Sequence, residues 1–297
     1  MMYYGLVCLA VVMFGTQFFT TRGYQKEMGS SLFSTLFNTF MGGLIGFPLM
    51  LIINRFTFEY THFTLLMALL KYIDGFLFSL CSLKALERVS LSVYSLFSML
   101  GGMLLPLLAG VIFFDEIFTW GLGLCVVFVF AALLVTKSKN TGKKDETGKE
   151  EPKKKGAWIF YLGIFVFNGM SGVLSAIFQK SSYPKTSSAG FSMLCGLVSL
   201  AITLVILIFM WGNRPKISKK AVLFSSVGSP INRVANWLLL VALVYLPASV
   251  NYTLVTGGTI VVSTLFSYLT ENKPKWKEWV GVVLSLIGIA FLVFLPF

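Results

Sequence analysis

Ten apolar runs occupy nearly the whole chain, and this pattern constrains its fold more than any other feature. The runs lie at about residues 3–20, 31–53, 63–83, 89–114, 118–136, 157–179, 187–211, 221–245, 247–269 and 278–297. A helix needs about 20 apolar residues to cross a bilayer, so most runs are long enough to span one. Composition agrees: 56% of the residues are hydrophobic and 12% charged, against about 45–50% and 25% in a soluble domain. The chain reads as an all-α integral membrane protein with ten transmembrane helices. A net charge of +12 would suggest nucleic acid in a soluble domain. Here all of the Lys and Arg except Lys71 and Arg233 fall outside the runs. They therefore set topology, and no nucleic-acid partner is expected.

Most connections between runs are short, so successive helices run antiparallel. Residues 137–156 are the exception, a Lys/Glu/Gly-rich stretch with no apolar periodicity, read as a solvated linker. It divides the chain into five-helix units at 1–136 and 157–297. Because five is odd, the two units must lie in opposite orientations, which describes an inverted repeat. Val11–Lys26 aligns without gaps to Phe165–Lys180, pairing Gly15 with Gly169 and Gln25-Lys26 with Gln179-Lys180. Gly101-Gly102 and Asp115 precede Gly257-Gly258 and Glu271 at the same spacing. Loops at the linker end hold most of the basic residues; the other end holds only Arg55, Lys180 and Lys185. The positive-inside rule then predicts a cytoplasmic linker and two external termini in a multi-pass cytoplasmic-membrane protein. Arg22 and Lys26 follow the first run and no basic residue precedes it, which argues against a cleaved signal peptide.

The fourth run of each half ends at an acidic residue before a Gly-containing fifth run. These stretches are GGMLLPLLAGVIFFDEIFTWGLGL and GGTIVVSTLFSYLTENKPKWKEWVGVVL. With the five-plus-five organisation, this pattern resembles the drug/metabolite transporter superfamily, EamA type, over nearly all of the chain outside the linker. The resemblance implies a ten-helix transporter. It does not choose among the amino acids, sugars, nucleotide sugars, amines and drugs that the superfamily moves. Small multidrug members bind cations and protons through a first-helix carboxylate. Neither Tyr3–Thr20 nor Phe165–Gln179 contains one, so that mechanism is disfavoured.

Ionisable residues inside a membrane cost about 2.5–3.5 kcal/mol each on insertion scales and mark functional sites by default. Lys71 and Asp74 lie near the middle of the third run, and Arg233 near the middle of the eighth, its counterpart in the other half. Lys71 and Asp74 share a helix face at i,i+3. One reading makes them a neutral packing pair. The other pairs Asp74 with one cation and leaves the second for substrate, a formal +1 that suits a carboxylate-bearing anion or zwitterion. Arg233 is the stronger anchor, since its planar fork holds a carboxylate bidentately and stays charged. Asp74, the one midplane carboxylate, is the candidate for coupling to an ion such as a proton. Pro230 lies three residues before Arg233 and predicts a kink or break in the eighth helix. Asn236 and Trp237 follow at i+3 and i+4. Gln17, Asn168, Tyr94 and Tyr252 are large polar groups in apolar runs and complete the candidate pocket.

Other features carry less chemistry. Cys8, Cys81, Cys125 and Cys195 stand singly in apolar runs and read as packing residues. No Cys/His cluster supports a metal site, and no cofactor is expected. Asp115, Glu116, Glu271 and Glu278 sit at helix ends as water-accessible interfacial or capping groups. The lone His62 reads as a solvated loop residue, and Trp276 and Trp279 as interfacial anchors that meet membrane lipid. There is no Ser/His/Asp set, HExxH, Walker A loop or GxGxxG motif, so no enzyme is predicted. The expectation is a secondary active transporter moving a small polar, carboxylate-bearing metabolite of amino-acid or organic-acid type by alternating access, with a monomer sufficient. The rivals are an exporter of hydrophobic or amphipathic compounds, a lipid-headgroup flippase and a non-transporting membrane binder.

Overall fold

The computed structural model describes residues 2–88, 91–136, 157–213, 215–269 and 276–295. Among them the chain forms ten α-helices and no strand. The first five are α1 (Met2–Met28), α2 (Leu32–Ile53), α3 (His62–Arg88), α4 (Leu91–Phe113) and α5 (Trp120–Thr136). The second five are α6 (Ala157–Lys180), α7 (Ser188–Met210), α8 (Lys219–Ala242), α9 (Ala248–Leu269) and α10 (Trp276–Phe294). A short 3-10 turn, Trp211–Asn213, follows α7. The linker 137–156 and Glu271 lie outside the described residues.

Five helices (α1, α2, α3, α6 and α7) are long and apolar enough to cross a membrane, and α4, α5, α9 and α10 carry shorter apolar segments. Large apolar side chains such as Leu9, Phe19, Ile73, Val205 and Phe209 point outward, as expected of a surface solvated by lipid rather than water. α8 is in neither group, because one of its faces is polar. Ser225, Ser229, Asn232, Arg233 and Asn236 recur along that face at spacings of three and four, and all of them face inward.

The helices pair across the halves. α2 packs on α7, α4 on α9 and α5 on α10; α1 packs on α8 and α9, while α6 packs on α3 and α4. Glycines bring the backbones together at these crossings. A Cβ at Gly43 would lie 2.6 Å from the Leu200 nitrogen, and one at Gly101 would overlap the Phe165 carbonyl oxygen. Small residues at crossings are how membrane helices gain van der Waals contact when lipid offers no hydrophobic drive. The largest apolar cluster joins α1, α4, α5, α8 and α9 through residues such as Val11, Met103, Val129 and Leu239.

The end of α1 and the course of α8 differ most from the sequence reading. α1 continues to Met28, beyond its apolar run, because the added polar turns find partners. Gly23 packs under Phe224, the Tyr24 hydroxyl donates to Ser34 O (2.7 Å), and Glu27 accepts from Ser218 Oγ (2.7 Å). Of the kink or break expected at Pro230, the break is absent: α8 runs continuously through it. Neighbouring helices hold a proline-interrupted segment in place, and α8 is flanked by α1 and α2.

Candidate functional site

A cavity of about 340 Å³ lies at the centre of the bundle. α8 lines it with its polar stripe, α3 with Lys71 and Asp74, and α7 with Ser192, Cys195 and Ser199. The third and eighth helices thus bring Lys71, Asp74 and Arg233 to one cavity. Gln17 of α1, Tyr94 of α4, Asn168 of α6, Tyr252 of α9 and Asn236 of α8 line it too. Trp237 does not. The cavity face of α8 centres on Ser229, Asn232 and Asn236 with Arg233 at its edge. A step of four residues carries Trp237 about 40° further round, and it packs against the α1–α4–α9 cluster instead.

The charges are arranged differently from the sequence reading. Among the described residues, none of the three is in an ion pair. Lys71 lies near enough to Asp74 to interact electrostatically, but its ammonium donates across the cavity to α6, to Ser171 O (2.5 Å) and Ser171 Oγ (2.6 Å). Asp74 is 5% exposed, and neither of its carboxylate oxygens has a hydrogen-bond partner among the described residues. Arg233 has no side-chain hydrogen bond among the described residues. Its stem lies against Gly46 of α2, where a Cβ would fall 2.9 Å from Nε. A guanidinium facing an internal cavity without a protein partner is five donors ready for an anion.

The remaining polar groups form a braced wall. Asn168 Nδ2 donates to Ser98 O (2.6 Å), Tyr94 OH to Ser82 Oγ (3.2 Å) and Tyr252 OH to Gly172 O (3.2 Å). Asn236 Nδ2 donates to Asn232 O (2.9 Å) and Oδ1 (3.2 Å). Sequence reasoning missed Asn232 and Asn38, which line the cavity as well, the Asn38 oxygen accepting from Ser225 Oγ (2.7 Å). Asn38 could have been found by the criterion that singled out Asn168, a bulky amide in an apolar run. Cys195, read as packing, faces the cavity near both Lys71 and Arg233.

The cavity lining and the strongest carboxylate ties lie toward opposite ends of the bundle. Lining residues continue toward the linker end along α1 (Thr20, Tyr24), α2 (Asn38), α3 (Ser82) and α4 (Tyr94). At the opposite end, Glu116 pairs with Lys180 and accepts the Ala248 and Ser249 N–H groups (2.7 and 3.0 Å) at the start of α9. Its side chain is 5% exposed, which corrects the expectation of a water-accessible residue. Asp115, at a φ of 51°, turns the chain so that the Glu116 amide donates back to Gly110 O (3.1 Å). Burial alone would raise the Glu116 carboxyl pKa, but Lys180 and the two amides bring it below the usual value. Glu59 behaves alike in the α2–α3 loop, where Ser187 N (2.6 Å), Ser187 Oγ (2.8 Å) and Asn54 Nδ2 (3.0 Å) outweigh its burial.

Fold and cavity together define a multi-pass membrane protein with a central chamber into which Lys71, Asp74 and Arg233 all face. The sequence model of the EamA-like transporter family matches residues 149–294, so this half of the chain belongs to that family, within the drug/metabolite transporter superfamily. Members of the family are transporters. No curated protein matches the chain. Among solved structures, one crystal structure superposes with a TM-score of 0.70 at 15% identity, covering 98% of this chain and 96% of its own. At that identity the likeness shows a shared fold over essentially the whole chain and nothing of substrate.

Proposed function

We propose that the chain is a secondary active transporter that carries a small carboxylate-bearing metabolite by alternating access. The observation that carries this reading is Arg233: a guanidinium lining an internal cavity with no protein partner among the described residues. An anionic substrate would supply the missing acceptors, two at once if it presents a carboxylate. Lys71 and Asp74 tune the charge, and Gln17, Tyr94, Asn168, Asn236 and Tyr252 shape the pocket. Asp74 is the candidate coupling site, its bare carboxylate needing a proton or another cation to offset burial.

Ten spans in two inverted units, 1–136 and 157–297, fit the helix pairings. Exchanging the first five helices with the last five turns the α1–α8 contact into α6–α3 and the α1–α9 contact into α6–α4, while α2–α7, α4–α9 and α5–α10 map onto themselves. With the linker 137–156 cytoplasmic and both termini external, the Glu116 and Glu59 ties close the external end and the cavity leads inward. Rocking of the two units about the cavity would break these ties and open the other side. A monomer suffices, since both units lie in one chain, and the membrane is the cytoplasmic one. One observation favours a second reading. Phe14, Phe18, Phe76, Phe78 and Phe224 also line the cavity, which suits export of amphipathic compounds.

The test is thermal stability of the purified protein against carboxylates, neutral sugars, sugar phosphates and quaternary amines. A ligand at 100 times its Kd stabilises by about 2.7 kcal/mol. Carboxylates should stabilise the wild-type protein and not Arg233→Ala. Stabilisation by amines alone would favour the second reading, and carboxylate binding that survives Arg233→Ala would remove the anchor.

A further inference from the structure

The α2 segment MGGLIGF carries three glycines that meet different neighbours. Gly43 faces α7, where its Cβ would strike the Leu200 backbone at 2.6 Å. Gly42 and Gly46, one turn apart, face Ser229 and Arg233, also one turn apart on α8. At Gly42 a Cβ would meet Ser229 Oγ at an ordinary 3.7 Å. At Gly46 the three nearest atoms all belong to Arg233: Nε at 2.9 Å, Cγ at 3.5 Å and Cδ at 3.6 Å. The absent side chain at 46 is therefore the space that the stem of Arg233 occupies. Arg233 stands at the edge of the α8 cavity face, so α2 is the wall that decides which way its guanidinium points.

We propose that Gly46 is a positioning residue for substrate binding: it provides the berth that holds the Arg233 guanidinium at the cavity, and any side chain there redirects the anchor. The proposal rests on Arg233 being the anion anchor and extends that reading to a residue on the other half of the chain. A glycine in the middle of a membrane helix is otherwise explained by close backbone crossing, as at Gly43. Gly46 differs because the group it admits is a flexible, charged side chain. A methyl at 46 is thus accommodated by swinging Arg233 aside, without separating helices. The loss should appear in ligand affinity before it appears in folding. Hydrogen bonds to charged groups correspond to a roughly ten- to hundredfold change in affinity.

The experiment compares wild type, Gly46→Ala, Arg233→Ala and the double variant, with Gly43→Ala as the backbone-clash control. Each full-length protein is purified and melted alone and against titrations of glutamate, succinate and lactate. Gly46→Ala alone should melt a few degrees below wild type and need roughly ten- to a hundredfold more carboxylate for the same shift. In the Arg233→Ala background, adding Gly46→Ala should leave the melt unchanged or raise it, because the space is empty. Wild-type carboxylate affinity in Gly46→Ala would overturn the proposal, as would additive ligand-free shifts at 46 and 233, since residues in contact couple. If Gly46→Ala does not fold, recovery in the double variant supports the berth and continued failure overturns it. If wild type responds to no carboxylate, the anchor reading fails by itself. The ligand-free cycle then decides whether Gly46 sets the position of Arg233.

Discussion

Removing the Glu116 carboxylate should destabilise the protein more than removing its lysine partner. Glu116 holds three groups at once: the ammonium of Lys180 and the N–H groups of Ala248 and Ser249 at the start of α9. Its side chain is 5% exposed and that of Lys180 25% exposed. Glu116→Ala leaves two helix-terminal N–H groups without an acceptor, at about 0.5–2 kcal/mol for a lost cap, together with the ion pair. The two together come to about 1.5–3 kcal/mol, reaching at most the lower edge of the roughly 3–5 kcal/mol range for breaking a fully buried pair. Lys180→Met leaves both amide bonds in place and removes an interaction that solvent partly screens, about 1 kcal/mol. At about 2–4 °C per kcal/mol for a chain approaching this size, Glu116→Ala should melt roughly 3–12 °C below wild type, and in any case further below than Lys180→Met at roughly 2–4 °C. Scanning fluorimetry in detergent reads both values. Equal losses would show that the ion pair, and not the cap on α9, holds the loop. No loss in Glu116→Ala would show that the carboxylate is not seated on α9 at all.

Three further outcomes follow. Glu116 and Glu59 both titrate below the ordinary 4.5 of a glutamate, so their contribution is complete above pH 4.5 and is lost as pH falls through their lower folded values; the acid limb of a melting curve should flatten in the Glu59→Gln, Glu116→Gln double variant, and an unchanged limb would contradict this. Asp74→Asn should raise the melting temperature by a few degrees, because a buried carboxylate without partners is replaced by a neutral amide, and should make flux insensitive to a proton gradient; a lower melting temperature would reveal a partner for Asp74. Gly101→Ala should abolish the folded protein, since its Cβ would overlap a backbone oxygen of α6, whereas Gly75→Ala has open space and should melt like wild type; comparable yields of the two would refute the α4–α6 crossing.

Much of the fold was legible because lipid simplifies the code. An apolar run of about 20 residues leaves few alternatives to a helix, and most run boundaries fell within a few residues of the helix ends. The exceptions are informative. The end of α1 is polar and helical because its partners lie on other elements, and Pro230 interrupts no helix because α1 and α2 flank it. At the site, the rarity of charge in apolar runs picked out Lys71, Asp74 and Arg233. It could not say that Lys71 would turn to Ser171 and leave Asp74 bare, because that choice depends on the distance between α3 and α6. Trp237 was lost to a rotation of about 40° on α8, a difference that i+4 spacing alone does not register. Cys195 and Asn38 were passed over as ordinary content of apolar helices, yet both face the cavity.

Flux in proteoliposomes is the most direct measurement of whether Arg233 anchors a carboxylate during transport. Purified wild type and Arg233→Ala would be reconstituted at equal density, and uptake of radiolabelled glutamate, succinate and lactate measured under an imposed proton gradient and without one. If Arg233 is the anchor, the wild type accumulates at least one carboxylate and the variant accumulates none above empty liposomes. Carboxylate uptake that persists at the wild-type rate in Arg233→Ala would contradict the central claim.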